Sequence, residues 1–137
     1  MSKLELQVAA WAPRVLSILR IMAALVFIQH GTQKLFNFPE STRPVSPDGI
    51  STFMLITGLL EFGGGGLFLL GLFTRPVAFM LSGMMAVAYF MAHAPRGFYP
   101  INNGGDLAIL FSFVFLYFMC AGGGCWSLDA QRTKKSP

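Results

Sequence analysis

Four apolar runs, each long enough to cross a bilayer as a helix, leave this chain of 137 residues little choice of environment. They fall at residues 14–30, 50–73, 76–93 and 106–122. A helical crossing needs about 17–25 mainly apolar residues. Transmembrane β-strands would instead alternate apolar and polar residues over about ten positions, and these runs do not alternate. Charged residues make up 12% of the chain, half the ~25% of a soluble domain, which is too few to cover a water-facing surface. The expected fold is all-α, a polytopic membrane four-helix bundle forming one transmembrane domain over residues 1–137, with the lipid bilayer as its first partner.

The net charge of +4 carries no basic stripe of the kind that follows a phosphate backbone. Nucleic acid is therefore not an expected partner, and the excess is explained by basic residues flanking the spans. With both termini inside, that face carries Lys3, Arg14, Arg75, Arg132, Lys134 and Lys135. The opposite face carries Lys34, Arg43 and Arg96. The asymmetry predicts cytoplasmic termini. Residues 1–13 read as a short lead-in without a clean signal-peptide cleavage site, with Pro13 suited to the first turn of span one. The connections differ in kind. Residues 36–49 form a long irregular loop through Pro39, Pro44 and Pro47, Thr74-Arg75-Pro76 a tight turn, and residues 94–105 a polar loop.

Ionisable groups inside spans cost about 2.5–3.5 kcal/mol at a helix centre, so those present ask for a partner or a wet cavity. Counting depth from an inner boundary at Arg14, Arg75 and Cys125, with a helical rise of ~1.5 Å per residue, puts Arg20 at ~9 Å and Glu61 at ~21 Å. On the same scale His30, His93, Asp106 and Lys34 fall between ~24 and ~30 Å. His30 and Lys34 are one helical turn apart. Ser82, Ala86, Tyr89 and His93 form one stripe on span three, and Asp106, Leu110, Phe113, Tyr117 and Cys120 another on span four. Facing inward, these stripes would line a common pocket, open to the outer face and floored near Arg20, at the level of Tyr117 and Cys120.

Each of these residues also has a plainer role open to it. Asp106 can cap the start of span four while Asn102 and Asn103 order the loop before it. Lys34, His93 and Arg20 can reach the membrane surface along their own stems. Glu61 can sit in a structural ion pair or as a hydrogen-bonded, protonated carboxyl. Gly58, Gly63 to Gly66, Ser82, Gly83 and Ala86 suit close helix packing, since no strand precedes the glycine run as a phosphate-binding loop requires. Cys120 and Cys125, five apart on a predicted helix, point roughly 140° apart, which disfavours a mutual disulfide. No metal-ligand spacing is present.

Several segments in order resemble the DoxX family of small membrane proteins. They are Arg20, His30-Gly31-x-x-Lys34-Leu35, Glu61-Phe62-Gly63-Gly64 and Gly71-Leu72-Phe73-Thr74-Arg75-Pro76. His93, Asn102-Asn103-Gly104-Gly105-Asp106 and Gly122-Gly123-Gly124-Cys125-Trp126-Ser127-Leu128-Asp129 complete the series. The chain departs from the family pattern at Asp106, where Glu is frequent, and at Cys125, where Pro is common. The resemblance implies a four-helix bundle in a bacterial inner membrane and an oxidoreductase-type role. Some relatives are similar to subunits of a thiosulfate:quinone oxidoreductase. Others are similar to membrane partners of soluble sulfur-transfer or superoxide-handling enzymes, and distant ones to receptor-assembly chaperones.

Two functional expectations follow. In the first, the chain is a membrane oxidoreductase subunit whose polar pocket binds a quinone or similar small molecule. Glu61, His30 and His93 then form a proton relay or ligand pocket, and Arg20, Lys34, Asn103 and Asp106 bind. The sequence carries no motif for haem, flavin or an iron–sulfur cluster, so electrons need a quinone or a soluble redox or sulfur-transfer partner. In the second, the chain is a non-enzymatic membrane scaffold or assembly factor whose intramembrane charges hold the bundle together. A homo-oligomer is compatible with either. A small-solute transporter is disfavoured by the lack of an inverted repeat or a pair of broken helices.

Overall fold

The computed structural model describes residues 2–41 and 49–135. Arg43, Pro44 and Pro47, counted above in the outer charge balance and the long connection, lie outside the described residues. All regular structure among the described residues is helical. Three helical stretches, Lys3–Phe36, Thr52–Leu70 and Thr74–Arg96, are long and apolar enough to cross a membrane, and a shorter apolar helix covers Asp106–Ala121. The chain is thus an all-helical membrane protein, and its helices resolve into two compact units.

The first unit comprises residues 1–72 and 123–137. Helix α1 (Lys3–Phe36) starts earlier than expected, because Ser2 and Glu5 form a reciprocal capping box that satisfies the first free N–H groups. Residues 3–13 therefore belong to the helix, and Pro13 lies inside it rather than in its first turn. Helix α2 (Thr52–Leu70) is capped by Ser51, whose hydroxyl accepts from the Met54 N–H, and closes on Gly71 in the left-handed conformation.

The two helices run antiparallel, in a register set by glycines. A Cβ on Gly31 would lie 2.6 Å from the Phe62 backbone nitrogen, one on Gly58 would press on Leu35 and Lys34, and one on Gly65 would meet Ile28 and Phe27. In lipid, where burying apolar surface gives no gain, such close backbone approach is a main source of helix association. Only half of the glycine run serves it. Gly64 and Gly65 are buried, whereas Cβ atoms on Gly63, Gly66 and, in the other unit, Gly83 would find open space.

The second unit covers Phe73–Gly122. Helix α3 (Thr74–Ala88) begins at Thr74, so the reversal before it falls on Gly71 and Phe73, both left-handed, and not on Thr74-Arg75-Pro76. It continues as a π-helical turn over Tyr89–His93 and a 3-10 turn over Ala94–Arg96. A one-turn helix α4 (Pro100–Asn103) precedes α5 (Asp106–Ala121), which packs antiparallel to α3.

Two serines clasp that pair at mid-length. The Ser82 hydroxyl donates to the Ser112 carbonyl at 2.8 Å and the Ser112 hydroxyl donates to the Ser82 carbonyl at 3.1 Å. At one end Arg75 donates to the Met119 carbonyl at 2.8 Å and to that of Cys120, capping the negative end of α5. The buried face of α5 is Ala108, Phe111, Phe115 and Phe118. The stripe expected to face inward, from Asp106 through Leu110, Phe113 and Tyr117 to Cys120, is exposed. The buried face carries three phenylalanines against the one, Phe113, on the outward stripe, and that packing surface decides which face turns in. Because α5 ends at Ala121, Cys125 is not on that helix, and both cysteines are free.

Candidate functional site

Close approach of α1 and α2 at Gly31 and Gly58 brings together two of the seven candidate residues. Lys34 Nζ lies 2.6 Å from Glu61 Oε1. Lys34 belongs to the last turn of α1, where its charge also complements the helix dipole. Glu61, in the interior of α2, is 4% exposed. Its second oxygen, Oε2, is buried and has no hydrogen-bond partner. An ionised carboxylate accepts at both oxygens, and Lys34 offers two further N–H donors beyond the one used. The pair therefore presents a free acceptor and free donors side by side in an apolar helix pair. His30, a turn before Lys34, is exposed.

Arg20, expected at the floor of a shared pocket, has another function. It is 1% exposed, and its guanidinium donates to the carbonyls of Leu69 at 3.3 Å, Trp126 at 3.0 Å and Gly123. The Asp129 carboxylate adds a favourable charge. The planar fork of an arginine suits several acceptors at once, as a lysine would not. Around it, the turn 123–129 is sewn onto α1 and the end of α2. The Ser17 hydroxyl donates to the Pro13 carbonyl at 2.9 Å and accepts from the Trp126 N–H at 3.1 Å, and the Asp129 N–H donates to the Gly71 carbonyl at 3.0 Å. Ser127 caps the terminal helix α6 (Leu128–Lys135), accepting from the Ala130 N–H at 3.1 Å. Gly71 and Gly124 have positive φ, and Cβ atoms there would collide with Arg20 and Ser127, and with Ser17 and Pro13, respectively. The sequence shows this cluster only as a string of small residues, so the roles of Ser17, Gly71 and Ser127 were not legible in it.

In the second unit His93 and Asn103 come together. His93 Nδ1 is 3.2 Å from the Asn103 carbonyl, which can only accept, so Nδ1 is the donor in this contact. The Tyr89 ring stacks on His93 at 6.4 Å. Asn103 is the organiser of this corner: its amide donates to the Gly97 carbonyl and its side-chain oxygen accepts from the Gly105 N–H, both at 2.8 Å. Asp106 occupies the first turn of α5, but Gly105 takes the capping position and no side chain caps the helix. Among the described residues no group of three or more His, Cys, Asp or Glu side chains is placed to hold a metal ion.

An all-helical membrane protein with a partly buried ion pair between its first two helices and an arginine-closed C-terminal turn is the class these features define. The DoxX family model matches residues 15–94, and the chain belongs to the DoxX family. It is similar to an "uncharacterized protein" of Haemophilus influenzae, 45% identical over 128 residues that cover 91% of this chain and 96% of that one. It is 30% identical over 141 residues to the "uncharacterized membrane protein Rv3486" of Mycobacterium tuberculosis, covering 90% of this chain and 84% of the relative. It is 31% identical over 121 residues to the "inner membrane protein YqjF" of Escherichia coli, covering 86% and 92%. No solved structure matches the chain.

Proposed function

We propose that the chain is the inner-membrane subunit of an oxidoreductase system, and that Lys34 and Glu61 bind the head group of a quinone or a similar small molecule. The observation that carries this reading is the buried Oε2 of Glu61, an acceptor without a donor beside a lysine with donors to spare. A quinol hydroxyl donates to Oε2; a quinone carbonyl accepts from Lys34. One pair thus fits both redox forms, which is the requirement for a site that exchanges them. When bound, such a group would supply two-electron, two-proton redox chemistry exchanged with a soluble redox or sulfur-transfer partner, and Glu61 would be the residue placed to exchange one of those protons. A buried polar atom left unpaired costs about 1–3 kcal/mol, so occupancy of the site relieves a penalty built into the resting protein.

The test is extraction of quinone from protein purified in mild detergent, with quinone-dependent turnover measured alongside. Bound quinone that is lost in Glu61→Gln, together with lost turnover, supports the reading. Protein that carries no quinone, with turnover unaffected by the substitution, overturns it.

One observation favours the scaffold reading instead. Arg20, the most deeply buried charge, is committed to backbone carbonyls and so works as a fastener. If the whole protein has that character, affinity capture recovers a single partner whose membrane level falls when this chain is deleted.

A further inference from the structure

We infer that the connection between α3 and α5, residues 97–105, is a lipid-embedded element that inserts Phe98, Tyr99 and Ile101 into the bilayer interface. The inference rests on the membrane fold alone and is independent of any ligand at Lys34 and Glu61.

Three observations converge on it. The first is length. With 16 residues, α5 is ~24 Å long at ~1.5 Å per residue, short of the ~30 Å hydrocarbon core. Its partner stretch Thr74–Arg96 has 23 residues and reaches ~34 Å. Arg75 meets the far end of α5, and the start of α5 packs against Tyr89, where a Cβ on Gly105 would touch the ring. About two turns of the Thr74–Arg96 stretch therefore rise beyond α5, and the 97–105 segment lies beside them, held by the His93–Asn103 and Asn103–Gly97 bonds.

The second is polar accounting. Non-helical backbone at membrane depth is tolerated only when its hydrogen bonds are satisfied within the protein. Here the Gly97 N–H goes to Ala94, the Asn102 and Asn103 N–H groups to Tyr99, and the Gly105 N–H to Pro100 and the Asn103 side chain, while the Phe98, Tyr99 and Ile101 N–H groups keep no protein acceptor among the described residues and need the water of the headgroup region, which sets the corner at the interface rather than deeper. The Gly97 and Asn103 carbonyls are taken by Asn103 and His93. The two prolines, Pro95 and Pro100, bring no N–H at all.

The third is what faces out. Phe98 is 86%, Ile101 83% and Tyr99 64% exposed, and Phe90 and Met91 continue the apolar surface down the hairpin. The corner turns Asn103 inward and its largest apolar side chains outward, with Arg96 and Asn102 exposed beside them, a mixture matched to the lipid–headgroup boundary. The ring-with-hydroxyl of Tyr99 and the cationic Arg96 suit the headgroup boundary. Asp106, exposed at the base of the corner, sits at the first turn of α5, where free N–H groups favour a carboxylate.

The test places a nitroxide at Ile101→Cys and, separately, at Phe98→Cys, in a Cys120→Ser, Cys125→Ser background reconstituted alone into phosphatidylcholine–phosphatidylglycerol vesicles. Collision rates with oxygen, which partitions into lipid, and with a water-soluble nickel chelate are compared with those at Lys134→Cys on the polar terminal helix. An oxygen-to-nickel ratio several-fold above the reference at both positions is expected. A ratio equal to the reference means the corner stands in water and overturns the inference. Suppression of both collisions means that protein, such as a second copy, covers the patch, and overturns it equally. The unsubstituted protein gives an independent readout. A phospholipid with a photoreactive acyl chain should label the 98–101 segment, and labelling of Phe90 and Met91 without that segment overturns the inference.

Discussion

The Ser17 hydroxyl accepts the backbone N–H of Trp126 at 3.1 Å, joining residues 109 positions apart in sequence. Ser17 is fully buried, and its own proton goes to the Pro13 carbonyl. Ser17→Ala leaves the Trp126 N–H without this acceptor. The expected loss is about 1–3 kcal/mol of stability, read as a lower thermal midpoint in detergent. Ser17→Thr, which keeps the hydroxyl, should recover most of it.

Arg20→Met should cost more, because three carbonyls lose a charged donor at once. Breaking a buried charged network by removing one partner costs about 3–5 kcal/mol. Arg20→Lys keeps the charge but not the fork, and should fall between. Hydrogen exchange gives a local reading: the Asp129 amide, bonded to the Gly71 carbonyl, should lose protection in both variants while α3 and α5 keep theirs.

Two glycines in or next to one helix should respond oppositely to alanine. Gly71 is left-handed at φ 66°, with Arg20 and Ser127 where a Cβ would go, so Gly71→Ala should destabilise strongly. Gly66 lies in the helix interior with open space around its Cβ position. Gly66→Ala should be neutral or raise stability by up to about 1 kcal/mol, the helix-propensity difference. Parallel thermal scans of the two variants decide it.

For the intramembrane pair, single substitutions and a swap separate charge from packing. Lys34→Met should destabilise more than a surface-pair deletion, since it strands a buried Glu61 carboxylate. Glu61→Gln removes that charge and should be milder. The exchange Lys34→Glu with Glu61→Lys should restore part of the stability lost in Lys34→Glu alone, measured as a double-mutant cycle.

Much of the architecture was legible because hydrophobic length is a strong signal. The apolar runs, the closeness of Lys34 and Glu61, and the loop-ordering work of Asn103 could all be read from type and spacing. What escaped shares one cause, which is that side-chain direction depends on packing that sequence does not display. The polar-looking stripe from Asp106 to Cys120 turned outward because Phe111, Phe115 and Phe118 took the buried face. His30 shares a helix face with Lys34 by count yet is exposed. Arg20 looked like a pocket floor because depth counting cannot see acceptors that come from a turn a hundred residues later. The segment 94–105 read as polar from its Asn and Gly content, and Arg96 and Asn102 are exposed there, but Phe98, Tyr99 and Ile101 are exposed with them, which residue counting did not bring out.

The discontinuity of the first unit carries a consequence for biogenesis. Arg20 enters the membrane early in synthesis, yet two of its three acceptors, Gly123 and Trp126, emerge from the ribosome only after α2, α3 and α5 have been made. Until then its guanidinium bears part of the insertion cost that reaches about 2.5–3.5 kcal/mol at a helix centre, with little but the end of α2 to offset it. Maturation of α1 and α2 is therefore held open across translation of the whole second unit. The segment 123–129 acts as a latch, and a nascent chain stalled before it should remain a ready substrate for membrane quality control.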